Sequence, residues 1–167
     1  MRGKAPSRSA LHDTILVNPS DLNSDWSMHG GRLFFLLDQK AATVARNHSG
    51  HVCRTVSFSP GKYFKPVDLA DEVIIKARVT RSWNSTMEVR VESSAIGVSD
   101  TEERDALVLY FYFIAIKDGM PQKVRPVLPR TKEEKYEYER APGRRELVKK
   151  FIEEEVEKLK KLRAQHI

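Results

Sequence analysis

Residues 29–50 read His29-Gly30-Gly31-Arg32-Leu33-Phe34-Phe35-Leu36-Leu37-Asp38-Gln39-Lys40-Ala41-Ala42-Thr43-Val44-Ala45-Arg46-Asn47-His48-Ser49-Gly50, and the fold turns on how they are read. From Arg32 to His48 there is neither Pro nor Gly, and Leu, Phe and Ala dominate, which predicts a buried helix of about 17 residues. Gly50 ends it. Before it, His12 to Val17 reads as a short strand closed by the turn signal Asn18-Pro19-Ser20-Asp21, and residues 18–29 as loop. The first ten residues read as a loose tail.

After the helix come four strand-like segments, Val52–Phe58, Val73–Ser82, Thr86–Ala95 and Leu107–Ile116. In the third, Met87, Val89, Val91, Ser93 and Ala95 alternate with polar neighbours, the period of a sheet with one buried face. The short links Trp83-Asn84-Ser85 and Gly97–Arg104 favour hairpins and an antiparallel meander. One helix and about five strands give an α+β domain, with the sheet laid against or curled around the helix. Leu107–Ile116 is apolar on both sides, and one helix cannot cover both faces of a sheet. The outer face is therefore expected to be buried against another subunit of a symmetric oligomer. Residues 1–130 form the domain, and residues 131–167 a charged helical extension, helical from Arg144, with Val148, Ile152, Val156 and Leu159 on one stripe.

Composition narrows the function. A chain of 167 residues and 19.2 kDa has room for one ordinary domain, and 40% hydrophobic with 31% charged residues is the balance of a folded protein. The longest apolar runs, Leu33–Leu37 and Ala106–Ile116, are shorter than the roughly 20 residues of a membrane helix, and no apolar signal segment follows the basic start; a cytoplasmic protein is expected. With Cys53 alone, an internal disulfide and a zinc site of paired cysteines are both excluded. The net charge of +6 invites nucleic acid, a membrane surface or a small polyanion, but it is spread along the chain without a basic block. There is no G-x-S-x-G, no phosphate-loop motif and no H-E-x-x-H. His48 and His51 flank a turn and are expected to be exposed.

The residue with most chemical content is Asp38. At 100° per residue, Gly31, Phe34, Phe35, Ala41, Ala42 and Ala45 lie within about 60° of it, so the pattern puts a carboxylate in the middle of an apolar stripe. No cation of the helix pairs with it directly. Burying an unpaired carboxylate costs several kcal/mol, and the pattern leaves structure and chemistry equally open as its justification. Burial there is expected to make Asp38 a better proton acceptor than a surface aspartate. Upstream, His29-Gly30-Gly31 opens the helix, where free amides and the dipole favour an anion or oxyanion.

The stretch Val17–Met87 resembles the hot-dog-fold acyl-CoA thioesterases of the brain acyl-CoA hydrolase type and their short bacterial relatives. The likeness lies in Pro19, Asp21 and Asn23; Met28-His29-Gly30-Gly31; Leu36-Leu37-Asp38 with Ala41-Ala42; Thr55; Phe64-Lys65-Pro66-Val67; Asp71; and the hairpin Ala77-Arg78-Val79 to Ser85-Thr86-Met87-Glu88-Val89. It fades beyond, through Asp118-Gly119 and Pro126 to Glu134.

The resemblance implies a hot-dog fold and acyl-CoA hydrolysis, with coenzyme A as part of the substrate and no cofactor or metal. It makes Asp38 the general base or nucleophile, His29, Gly30 and Gly31 binders of the thioester carbonyl, and Thr55 a neighbour of the reacting group across a subunit contact. It makes Asn23 a loop asparagine of the site, and Ser85 and Thr86 contacts of the CoA moiety; Lys62, Lys65, Arg81 and the basic terminal helix are candidate partners for its phosphates. It also implies dimers, assembled as a trimer of dimers. Trp26, Ser27 and Ser59 depart from the family pattern and bear on substrate choice. Rival readings are a non-catalytic module binding an acyl thioester or nucleic acid, and a hot-dog hydratase, which would want a His and an Asp presented together.

Overall fold

The computed structural model describes residues 1–164. Strand β1 (Leu11–Leu16) is followed by helix α1 (Gly30–Ser49), β2 (Val52–Phe58), β3 (Lys62–Tyr63), β4 (Glu72–Ser82), β5 (Thr86–Ile96), β6 (Arg104–Lys117), β7 (Met120–Pro121) and helix α2 (Lys132–Ala164). The strands form one antiparallel sheet in the order β1-β4-β5-β6-β2, with β3 and β7 also paired to β6. It is therefore not a simple meander: only β4, β5 and β6 follow one another, and β2 is carried to the far edge.

Helix α1 is longer than the pattern predicts, because both glycines before Arg32 are already helical. Its end is set by Gly50, at φ 78°, whose amide bonds the Arg46 carbonyl at 2.8 Å. The helix packs on β4, β5, β6 and β2 through Leu33, Leu36, Leu37, Ala41, Val44, Ala45 and His48. That stripe is centred on Leu37, not on Asp38. Asp38 lies about 100° round the helix, half-buried on its flank, and Phe35 is 49% exposed. The correction has a simple cause: the leucines and Val44 fill the space against the sheet, and the phenylalanines lie at the sides.

The outer sheet face is covered by the chain's own α2, which corrects the expectation of a neighbouring subunit there. Helix α2 begins at Lys132, twelve residues before the expected Arg144, and runs through Pro142 and Gly143. Beneath it Glu88, with 0% exposure, accepts hydrogen bonds from Tyr112 Oη at 2.8 Å, Arg144 Nη2 at 2.7 Å and Thr80 Oγ1. Arg90 pairs with Glu137 at 3.2 Å, and Tyr110 donates to Glu137 at 3.1 Å. Burial, and then the Glu88 carboxylate, hold the Tyr112 phenol well above the usual tyrosine range. The doubly apolar look of β6 thus conceals two tyrosines, Tyr110 bonded to Glu137 of α2 and Tyr112 to Glu88 of β5.

The N-terminus is not a loose tail. Lys4 bridges to Val127, Ala5 is buried, and Pro6–Arg8 forms a turn of 3-10 helix. This arm covers His48, which is fully buried rather than exposed, with Nδ1 3.2 Å from Ser9 Oγ and Nε2 donating to the Arg125 carbonyl at 3.1 Å. Burial, helped by the positive charges of Lys4 and Arg125, pushes His48 down to about 4 despite that carbonyl.

Two predictions follow from these buried groups. Because folding depresses the His48 pKa, its contribution to stability is present above pH 6.5 and is lost as the pH falls towards 4. Unfolding free energy should drop by on the order of 3 kcal/mol over that window, and the His48→Gln variant should flatten this part of the urea-unfolding profile. Arg144→Ala leaves the Glu88 carboxylate buried without its cation, and should cost about 3–5 kcal/mol in the same measurement.

Candidate active site

Asp38 and Thr55 meet within one chain. The Thr55 hydroxyl donates to Asp38 Oδ1 at 2.8 Å, joining the third turn of α1 to β2. A bulge makes this possible: between Thr55 and Ser57 the pairing with β6 slips by one residue, so Val56 is extra and both Thr55 and Phe58 face the helix. Phe34, one turn before Asp38, packs edge-on against Phe58 with ring centroids 5.0 Å apart. Phe34 and Phe58 also wall an apolar groove of about 850 Å³, together with Val56, Leu107 and Leu109; Asp38 follows Phe34 by one turn and does not itself line the groove. That size is within the ~300–1,000 Å³ usual for small-molecule sites. Lys40, two residues beyond Asp38, is engaged with Asp13 at 2.5 Å.

A second cluster surrounds the start of α1. His29 is the N-cap, and its Nδ1 accepts from the Gly31 amide at 3.1 Å. The Gly31 amide is therefore already satisfied, contrary to the expectation of a free donor. In a neutral ring that accepts at Nδ1, the proton is on Nε2, which makes exposed His29 a donor at the helix mouth. The phenol of Tyr63, absent from the sequence reading, donates to the Gly30 carbonyl at 2.8 Å, and a Cβ added at Gly30 would stand 3.3 Å from that ring. Lys65 borders the same spot, around a cavity of about 180 Å³ shared with Gly30 and Tyr63.

Asn23 lies in the loop leading into this helix mouth. Its amide donates to Ser27 Oγ at 3.1 Å and its Oδ1 accepts from the Asp25 amide at 2.8 Å. The loop is fastened to the helix by buried Asp21, whose carboxylate takes Arg32 Nε at 2.7 Å and whose carbonyl takes the His29 amide at 2.8 Å. Asn23 and Asp38 are not in contact.

Ser85 and Thr86 form the third group, at the β4–β5 hairpin. The Ser85 carbonyl accepts from Ala115 at 2.9 Å, and half-buried Thr86 borders a shallow cavity of about 290 Å³ with Arg145 and Lys149 of α2. Both cations belong to the basic terminal helix, a candidate phosphate contact as a whole, but nothing in the chain's spacing shows which of its residues reach the hairpin. Arg81 is committed elsewhere: its guanidinium stacks 4.2 Å over the Tyr138 ring and donates to the Tyr138 carbonyl at 3.0 Å. Among the described residues, no group of three or more His, Cys, Asp or Glu could hold a metal ion, and no helix is long and apolar enough to cross a membrane.

An antiparallel sheet curled on one long helix, with a helix carboxylate bonded to a sheet hydroxyl, defines a hot-dog domain of the thioesterase class. The family model of the thioesterase superfamily matches residues 27–96. An uncharacterised acyl-CoA thioester hydrolase of Zymomonas mobilis is 31% identical over 114 residues, which cover 68% of this chain and 76% of the relative. The chain belongs to the acyl-CoA thioester hydrolase family. It spans about a third (35%) of the mouse cytosolic acyl coenzyme A thioester hydrolase, with which it shares 30% identity over 132 residues, 77% of its own length.

Among solved structures, the acyl-CoA hydrolase of Staphylococcus aureus with butyryl coenzyme A, coenzyme A and coenzyme A disulfide is 31% identical, with a TM-score of 0.87 over 95% of this chain and 98% of that one. An apo-hexameric acyl-CoA thioesterase is 28% identical, with a TM-score of 0.88 over 91% and 98%. The Staphylococcus enzyme has also been solved with an aspartate, an asparagine and a threonine each replaced by alanine. Its asparagine and aspartate are 15 positions apart and its aspartate and threonine 17, as are Asn23, Asp38 and Thr55.

Removing the fastening of the Asn23 loop should be visible directly. Arg32→Met leaves Asp21 buried without its cation; amides 22–28 are expected to exchange faster in hydrogen-exchange measurements, with a stability loss of about 2 kcal/mol.

Proposed function

We propose that the chain hydrolyses acyl-CoA thioesters to the free acid and coenzyme A, with Asp38 as the group that activates water or attacks the carbonyl. The observation that carries this reading is the Thr55–Asp38 hydrogen bond of 2.8 Å, one helical turn from Phe34 in the wall of an apolar groove. The bond orients one carboxylate oxygen and leaves the other free for water or the thioester, while the groove offers an acyl chain a dry path past Phe34 and Phe58. The butyryl coenzyme A complex of the Staphylococcus relative, and the matching spacing of its three substituted positions, support the same assignment.

The reaction also needs donors for the oxyanion, and those of the same chain are out of reach. Gly31 precedes Asp38 by seven residues, about 10.5 Å along the helix, against the ~3 Å of an oxyanion contact. His29, Gly30 and Asn23 are therefore read as serving the carbonyl held at a second copy's Asp38. This makes the oligomer, read as a trimer of dimers, part of the active site, and the hexameric relative supports an oligomer. For the CoA phosphates, Thr86 with Lys149 is the favoured contact, with Lys65 as a second; Arg145, stacked 4.3 Å over Trp83, borders the same cavity as Thr86. Arg81, stacked on Tyr138, is left out. The mouse relative's cytosolic designation favours the same location here.

The test is thiol release from acyl-CoAs of graded chain length. The native chain is expected to turn over, Asp38→Asn to lose about 10² to 10⁴-fold in kcat, and Thr55→Val to lose less, because it orients the carboxylate without reacting. Absence of release at every chain length would favour a binding module instead.

A further inference from the structure

Positive charge that the sequence scatters is gathered by the fold at one place. Arg2, Lys4 and Arg8 of the N-terminal arm and Arg125 of the segment between β7 and α2 line, with Gly3, a cavity of about 310 Å³. Arg2 and Arg8 are exposed, and Lys4 and Arg125 half-buried. Among the described residues, none of these four side chains pairs with a carboxylate. Arg78, Arg90, Arg104 and Arg144, also half-buried, are each paired with an acid. The crowding is felt within the cluster: burial, and then the charges of Arg125 and Arg8, hold the Lys4 ammonium below the usual lysine range. Arg125 Nε is shut off from water and has no acceptor among the described residues.

The backbone holds the cluster together. The Lys4 amide donates to the Pro126 carbonyl at 2.8 Å, and the Lys4 carbonyl accepts from the Leu128 amide at 3.0 Å, so the arm runs alongside the segment that carries Arg125. A Cβ added at Gly3 would stand 2.6 Å from Leu128 Cγ, and glycine lets the arm lie this close. The Arg125 carbonyl in turn accepts from His48 Nε2 at 3.1 Å and Ser82 Oγ at 3.0 Å. Four like charges fixed around one cavity repel one another, and an anion among them would turn that repulsion into attraction.

We infer that this cavity binds a phosphate group of an organic phosphate or polyphosphate, held by Arg2, Arg8, Arg125 and Lys4. A phosphate brings about two negative charges and three strong acceptor oxygens, which a single carboxylate does not. Guanidinium forks match those oxygens two at a time. The lining holds no aromatic ring on which a nucleic-acid base could stack, which argues against a single-stranded nucleic acid. The cavity is apart from the candidate active site: His48, covered by the arm, follows Asp38 by ten residues, about 15 Å along α1. Such a phosphate has two sources, a free phosphate compound or coenzyme A itself. The inference does not rest on thioesterase activity.

The experiment is calorimetric titration of the full chain with tripolyphosphate at fixed ionic strength. It compares the native chain with Arg2→Gln/Arg8→Gln, which changes exposed side chains only, and with Lys150→Gln/Lys160→Gln, which removes the same charge from α2. The native chain and the α2 variant are expected to bind alike, and the arm variant to keep its melting transition while binding about 10-fold more weakly or worse. Imidazole NMR locates the ligand: an anion beside Lys4 and Arg125 offsets the charges that help depress His48, whose pKa should rise from about 4. Coenzyme A that displaces tripolyphosphate would assign the site to the substrate's own phosphates, and coenzyme A that leaves it bound would assign it to a separate compound; both outcomes uphold a phosphate site. Equal binding by the native chain and the arm variant, or a His48 that does not respond, would overturn it. An RNA oligonucleotide that binds through the arm while tripolyphosphate does not would overturn it in favour of nucleic acid.

Discussion

The rotation of α1 about its own axis governs everything at the candidate site. The sheet presses on Leu33, Leu37, Ala41 and Val44, all buried, and this leaves Asp38 about 100° away at the seam between helix and edge strand. Had the contact stripe been centred on Asp38, the carboxylate would have been sealed against β-strand side chains without a cation, at a cost of several kcal/mol. At the seam it stays half-buried, with a hydroxyl on one oxygen. The bulge at Val56 is the matching adjustment on the strand side, since without the one-residue slip Thr55 and Phe58 could not both face the helix.

The outer face of the sheet solves a different problem. Its residues include Arg78, Glu88, Arg90 and Glu92, and such a row reads as a solvated surface. Helix α2 covers it, and covering charges demands that each find a partner. Glu88 is met by Arg144 and Tyr112, Arg90 by Glu137, and Arg78 by Glu133. A polar interlayer of this kind tolerates few alternative registers, because sliding the helix by one turn would leave a buried carboxylate unpaired. The proximal half of α2 is therefore held in register, which fixes the direction in which the distal half projects.

Much of this was legible in the sequence, and the failures are instructive. The boundaries of β2 are as predicted, and those of α1, β4 and β5 are close, since period and glycine placement are local signals. Asp38 and Thr55 were both picked out, but through a resemblance; the pattern alone left structure and chemistry open for Asp38. What failed was long-range. His48 reads as exposed because nothing local shows that residues 4–9 return to cover it, and nothing local shows that Glu88 is covered by this same chain, because Arg144 lies 56 residues away. Arg81 looked available for phosphate for the same reason: Tyr138 is 57 residues further on.

The length of α1 and the size of a thioester together constrain how the site can work. A carbonyl within reach of Asp38 cannot also be within reach of amides some 10 Å back along the same rigid helix, and no side-chain rotation closes that gap. Base and oxyanion donors must come from different copies, or the donors must be others than His29, Gly30 and Asn23. The first alternative is the economical one, since a two-fold axis beside the helices supplies both pairs at once and generates two identical sites. On the proposed reading, the clamp of the Asn23 loop to its own helix through Asp21 and Arg32 has a use: a loop that presents an amide to another copy's reaction has to be rigid in the frame of the interface, and that frame is α1.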